Sequence, residues 1–270
     1  MRALVLVVAV AACDVAYDPV EQIPHREYPD TATAVRAILA DTGTAHVYAV
    51  GEYHPTQPIP VRTSPLERFT HDVMPELTNA NHLVVEAWFD ASCAADPVQQ
   101  QIQAATNRAA TEASELVGLV DTMPTRGLPM TCIEHSAMLD PRGRVDFLRL
   151  LSLITEKLRE TTLALVHQGR DVVVYGGALH NDLYPRWPLE DLAYADAVAH
   201  ETSLLELDLA VPEVVAPLKA LWVEDWFPLL GLASPDRVIV WERGPNSYVL
   251  ILPAEDDRVA SAIGTRNSRM

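Results

Sequence analysis

Two short stretches of the chain repeat one arrangement of residues that can do chemistry. Val47-Tyr48-Ala49-Val50 runs into Gly51-Glu52-Tyr53-His54, and Val172-Val173-Val174-Tyr175 runs into Gly176-Gly177-Ala178-Leu179-His180. Each places G-x-x-H behind an apolar run, at 51–54 and at 177–180. Leu83-Val84-Val85 runs into Glu86, and Met130-Thr131-Cys132-Ile133 runs into Glu134-His135. An imidazole near its working pKa can activate water as a general base. The same imidazoles with carboxylate oxygens suit a divalent Zn, Mn or Fe. His54, Glu52, Glu86 and His180 are therefore the candidate catalytic residues and, if a metal is bound, its candidate ligands. Tyr53, Gly51, Gly176, Gly177, Glu134 and His135 are candidate ligand-binding positions, with Tyr53 able to bond substrate or to ligate haem iron as tyrosinate. The plain structural alternative for each is a loop cap, a packing aromatic or a strand-end charge.

Such residues need elements that hold them together. Continuously apolar strands such as Val172–Tyr175 are what a strand covered on both faces requires. Between them the pattern predicts helices. Thr31 to Asp41 has a cap at Asp30 or Thr31 and a stop at Gly43. Ser64 to Leu77 has Ser64 as cap, Pro65 in the first turn and Glu67 completing a capping box. Asp96 to about Asp121 and Arg144 to Gln168 are long, the second stopped by Gly169. Further strands are expected at His82–Phe89, Met130–Glu134, Leu204–Val211 and Arg237–Trp241. Gly244-Pro245-Asn246-Ser247 then turns the chain back into Tyr248–Leu252. Strand–helix–strand alternation predicts an α/β fold: three layers, a mostly parallel central sheet of about seven strands, and an antiparallel C-terminal hairpin at one edge. Ligands of such sheets bind outside the carboxyl ends of the strands, where the Gly, Glu and His residues fall.

The amino terminus reads as a targeting segment. Met1-Arg2 is followed by an apolar run from Ala3 to Val10, far short of the ~20 residues that span a bilayer. Val10-Ala11-Ala12-Cys13 fits the pattern of a lipoprotein signal, with Cys13 lipidated. The expectation is a signal peptide over 1–13, a polar tether over 14–30 containing Pro19, Pro24 and Pro29, and a single α/β domain over 31–270. That makes the chain an exported cell-envelope protein, held to a membrane through Cys13. Cys93 and Cys132 then remain as a possible disulfide or as two separate thiols. The chain has 37 acidic and 20 basic residues, a net charge of −17. Such a surface repels phosphate backbones and argues against nucleic-acid partners. No nucleophile elbow, Walker loop, G-x-G-x-x-G, H-E-x-x-H or C-x-x-C is present, which argues against the usual serine-hydrolase and nucleotide classes.

Gly51-Glu52-Tyr53-His54, then Val84-Val85-Glu86-Ala87-Trp88-Phe89, then Gly176-Gly177-Ala178-Leu179-His180 resemble the superfamily of erythromycin-esterase-like hydrolases, ChaN-like haem-uptake lipoproteins and TraB/TIKI proteases. Arg126-Gly127-Leu128-Pro129-Met130 is similar to that family's lead-in to its third strand. The resemblance spans about residues 45–182. It implies an α/β fold and a polar His/Glu site in which Glu52, His54, Glu86 and His180 are the functional positions. The esterase members are much longer, so macrolide hydrolysis is not implied; the ChaN-like members are nearer in length and are lipoproteins. Three expectations follow: a hydrolase of a small ester, amide or peptide, with or without a divalent metal; a haem- or iron-binding lipoprotein without catalysis; or a degenerate member with an interaction role.

Overall fold

A computed structural model describes residues 20–53, 61–87, 119, 122–129, 131, 134 and 138–255. Among these residues the sheet has 8 strands in the order β1-β7-β8-β6-β2-β5-β3-β4. They are β1 (Arg26–Tyr28), β2 (Val47–Glu52), β3 (His82–Val85), β4 (Thr125–Arg126), β5 (Val172–Gly177), β6 (Leu204–Ala210), β7 (Val238–Gly244) and β8 (Ser247–Ile251). The pairs from β8 through β6, β2, β5 and β3 to β4 are parallel. β7 is antiparallel to β8, and β1 is antiparallel to β7. The α/β sheet with an antiparallel hairpin is as the pattern predicts. The hairpin is one strand in from the edge, because β1 covers it.

That edge strand corrects the expected tether. Val20–Gln22 forms a 3-10 turn and Arg26–Tyr28 pairs with β7, so residues 20–30 belong to the domain. Arg26 is paired with Asp41 and lies 5.9 Å from the centre of the Tyr28 ring, which fastens this short edge. The strand expected at Met130–Glu134 falls largely outside the described residues, of which only Thr131 and Glu134 belong to it. The strand beside β3 is Thr125–Arg126, and Glu134 is helical. Thr131 and Glu134 form a reciprocal capping box: Glu134 N donates to Thr131 Oγ1 at 3.2 Å, and Thr131 N donates to Glu134 Oε2 at 2.7 Å. The spacing T-x-x-E carried that signal.

Helices cover both faces. On one face lie α1 (Thr31–Thr42) and the winding that begins with α2 (Pro65–Arg68), widens over Phe69–Val73 and tightens over Met74–Glu76. Asp30 accepts from Thr33 N and Ser64 accepts from Glu67 N, so both expected caps are in place. This face buries Val35, Ile38, Phe69, Tyr48, Val50 and Tyr175. On the other face lie α3 (Phe147–Val166), α4 (Ala178–Asn181) and α5 (Ala195–Ala199). Leu150, Ile154, Thr155, Leu158, Thr162 and Leu165 form the buried stripe of α3, at the spacing of one helix face. They pack on Val47, Ala49, Val84, Val172 and Val174. A third apolar cluster, with Trp226, Leu229, Leu230, Ile239, Val249 and Ile251, covers the β7–β8 end.

Gly51 and Gly176 are fixed by packing within the sheet, not by a need for unusual backbone angles. They are register partners in neighbouring strands, and Asp208 is the partner of Gly51 on its other side. A Cβ on Gly51 would collide with Asp208 Oδ1 and lie 2.7 Å from Ala178 Cα; one on Gly176 would lie 2.9 Å from Glu86 Oε2. Gly51→Ala should therefore lower stability by roughly 1–3 kcal/mol through overpacking. Gly231→Ala, with no atom of the described residues within 4 Å of the new methyl, should change it by under about 1 kcal/mol. Urea unfolding of the two variants checks this, and equal midpoints would contradict the packing account.

Candidate functional site

The parallel register lays the two G-x-x-H stretches side by side. Gly51 pairs with Gly176 and Glu52 with Gly177. β5 passes directly into α4, so Gly177 caps the helix that carries His180. Glu86 Oε2 accepts from Gly177 N at 2.7 Å, which fixes the head of α4 against β3. Asn181 Nδ2 donates to Val50 O at 2.6 Å, which ties the foot of α4 to β2.

His180 is 3% exposed. Its Nδ1 lies 2.8 Å from Thr155 Oγ1 and 3.0 Å from the Leu192 carbonyl. The Thr155 hydroxyl also reaches Leu151 O at 3.0 Å, the usual bond back along a helix. The same hydroxyl lies 2.9 Å from Leu192 O, so it has two carbonyls to donate to and can accept from the ring; on that ground we assign the hydrogen to Nδ1 and the lone pair to Nε2. A fixed ring with its lone pair on Nε2 is the form that works as a base.

The expected four-residue set is divided by the sheet. Glu86 and His180 lie on the α3 face, since Glu86 covers Gly176 and His180 bonds Thr155. Glu52 lies on the opposite face and accepts a hydrogen bond from the Tyr175 hydroxyl, beside the Phe69–Tyr175 stack. Among the described residues no three His, Cys, Asp or Glu are grouped to hold a metal. The described members of the proposed metal set, Glu52, Glu86 and His180, thus do not fit one shared ion. His54, His135, Cys13, Cys93 and Cys132 lie outside the described residues. Glu134 is not at a strand end: it pairs with Lys157 at 2.9 Å. The Thr131 amide holds its carboxyl down at about 2, aided by the Lys157 and Thr131 side chains. Tyr53 also has a different job from the one expected. Its hydroxyl donates to Asp208 Oδ2 at 3.2 Å and its ring packs on Trp226. Burial pushes the phenol well above its usual range, which works against a tyrosinate ligand for haem.

Beside Gly51 the structure holds a charged group that the strand pattern hid. Glu206 and Asp208 on β6 are each 1% exposed. They sit on the α3 face, between Leu204 of one apolar cluster and Ala210 of the next. Arg243 reaches in to meet them. The β7–β8 register slips between Glu242 and Gly244, so Arg243 is the extra residue of a bulge, which redirects its side chain. Its Nη1 donates to Glu206 Oε1 at 2.9 Å and Asp182 Oδ1 at 2.8 Å, and its Nη2 donates to Asp208 Oδ2 at 3.1 Å. Burial raises both carboxyl pKa values, with mutual repulsion adding to the rise of Glu206. The only sequence signal was the charge alternation in Leu205-Glu206-Leu207-Asp208-Leu209, which resembles a strand with one wet face.

No family model matches the chain, and no curated protein does. A solved structure described as that of the type III effector HopBA1 matches at 14% identity, covering 87% of this chain and 98% of its own, with a TM-score of 0.44. A likeness of shape that slight has no bearing on the chemistry.

Removing the cation should expose what the buried group depends on. Arg243→Met should cost roughly 3–5 kcal/mol near neutral pH, because it strands buried carboxylates. Folded-state carboxyl pKa values raised above the unfolded ones mean that protonation favours the fold. The cost should therefore shrink as the pH falls through those values. Thermal unfolding of both proteins across pH 4–8 measures it, and a pH-independent difference would contradict the assignment.

Proposed function

We propose that this chain is an exported hydrolase of a small ester, amide or peptide, with His180 as its general base at the strand ends. The observation that carries the reading is the clamp on Nδ1 by Thr155 and Leu192, which leaves the lone pair on Nε2. In this reading Nε2 takes a proton from water as the water oxygen attacks the substrate carbonyl. The same proton then passes to the leaving group as the carbonyl reforms. Glu86 acts as a positioning residue, since its carboxylate holds the first turn of the His180 helix through Gly177 N. Glu52 shapes the opposite face of the strand tips through Tyr175. The motif resemblance to the erythromycin-esterase-like, ChaN-like and TraB/TIKI group agrees with a His/Glu site in this place. Lipidation at Cys13 belongs to the same reading and would hold the site outside the cytoplasm.

Hydrolysis of p-nitrophenyl acetate and of a short peptide panel is the test. His180→Ala should lower kcat/KM by about 10²–10⁴-fold, the usual worth of a general base, and should also cost roughly 1–3 kcal/mol through the lost buried bonds, so the assay is run well below its unfolding midpoint. Thr155→Val should lower it less and raise the apparent pH optimum's sensitivity to buffer base. Wild-type rates in the His180 variant would overturn the reading. For the anchor, labelled palmitate should enter the wild-type chain and not Cys13→Ser; equal labelling would remove Cys13 as the lipid site.

A further inference from the structure

We propose that Asp208 keeps a hydrogen on Oδ1 in the folded protein, and that this hydrogen sets the seat of α4 and so the position of His180. The inference rests on His180 being the working base, but its geometry stands independently.

One guanidinium faces three carboxylates. Arg243 bonds Glu206, Asp208 and Asp182, and the first two are enclosed. Two buried anions cannot both be neutralised by one cation, and an uncompensated buried carboxylate is strongly disfavoured. One of them therefore holds a proton. The hydrogen bonds say which. Glu206 receives a donor on each oxygen, Arg243 Nη1 on Oε1 and Leu183 N on Oε2 at 3.0 Å. Asp208 receives Arg243 Nη2 and the Tyr53 hydroxyl, both on Oδ2. Its Oδ1 is buried and has no partner among the described residues. A carboxylate oxygen without a donor is where a hydrogen belongs, since protonation turns a stranded acceptor into a donor.

That oxygen points at α4. It occupies the space that a Cβ on Gly51 would fill, and Ala178 Cα borders the same space. Asn181, on the same helix, donates its Nδ2 to Val50 O, which orients its Oδ1 as an acceptor. Asn181 Oδ1 is also buried without a partner among the described residues. In this proposal the hydrogen on Asp208 is offered to α4, whose Asn181 Oδ1 is that buried acceptor with no partner among the described residues. Its loss would leave a bare anion against the backbone of a four-residue helix and displace the helix together with His180. The other groups facing Asp208 are Arg243 on β7, Glu206 on β6, Asp182 after α4, Tyr53 after β2 and Tyr194 before α5. Tyr194 also feels Glu86 across the glycines. Arg243 is the one cation among these residues, so no second positive charge offsets the loss of the proton.

The test is a pH titration of the full chain with ¹³C-labelled aspartate and ¹⁵N-labelled histidine, wild type beside Asp208→Asn. The Asp208 carboxyl is expected to titrate above the exposed aspartates. The ring signals of His180 should shift with the same midpoint, and that shift should vanish in Asp208→Asn, whose amide can donate without titrating. Because the protonated form favours the fold, wild-type thermal stability should fall relative to Asp208→Asn as the pH rises through that midpoint. An Asp208 carboxyl that titrates with the exposed aspartates would overturn the proposal, as would a His180 shift that persists in the variant. If Asp208→Asn fails to fold, the wild-type carboxyl titration decides alone, with Asp208→Glu identifying the signal. An inactive His180 with the coupled titration intact would sink the hydrolase reading and leave this one standing.

Discussion

The absence of a side chain at Gly51 is the constraint on which the site depends. Ala178 Cα and the Asp208 carboxyl share the space a Cβ would take, so the helix bearing His180 can lie directly on the sheet. Gly176 does the same for Glu86, which reaches over it to the amide of Gly177. Two adjacent glycines thus form a trough across β5 and β2, with a carboxyl leaning in from either side. The backbone of α4 crosses it, and the contacts that hold that helix include Glu86 at its head, Asn181 at its foot, and Thr155 with the Leu192 carbonyl on His180.

The same trough explains why a charged group is tolerated in the core. On the α3 face the apolar packing is interrupted at β6, with one cluster ending at Leu204 and another beginning at Ala210. Glu206 and Asp208 fill the gap, and the bulge in β7 delivers Arg243 to them. A buried ion pair is weak evidence for added stability, because desolvation offsets the attraction. Its effect here is positional. It fixes Leu183 through Glu206, Tyr53 through Asp208 and Asp182 through Arg243, the residues that frame α4 and the end of β2.

Much of this was legible in the sequence because local rules agreed with the fold. Asp30, Ser64 and Gly43 marked helix ends, the apolar runs marked the central strands, and Gly244-Pro245-Asn246-Ser247 marked a tight turn in which Asn246 takes a positive φ of 61°. The strand-end location of Glu52, Glu86 and His180 followed from the same pattern. What was not legible depended on long-range pairing. Arg26–Tyr28 is too short and too polar to announce a strand; only β7 makes it one. Thr125–Arg126 is a strand because it lies beside β3, and two polar residues do not announce one. The division of Glu52 from Glu86 by the sheet needs the strand register, which a spacing such as G-x-x-H does not contain. Glu206, Asp208 and Arg243 were hidden because alternation reads as a half-exposed strand, while their burial arises from a bulge set by the other strand of the hairpin.

The account turns on which ring nitrogen of His180 carries the hydrogen. Long-range ¹H–¹⁵N correlation of the histidine rings at neutral pH reports it directly, with His180→Gln to assign the signal. The account predicts hydrogen on Nδ1 and an unprotonated Nε2. Hydrogen on Nε2 would place the lone pair against the Leu192 carbonyl side of the ring, contradict the clamp and remove the basis for His180 as the base.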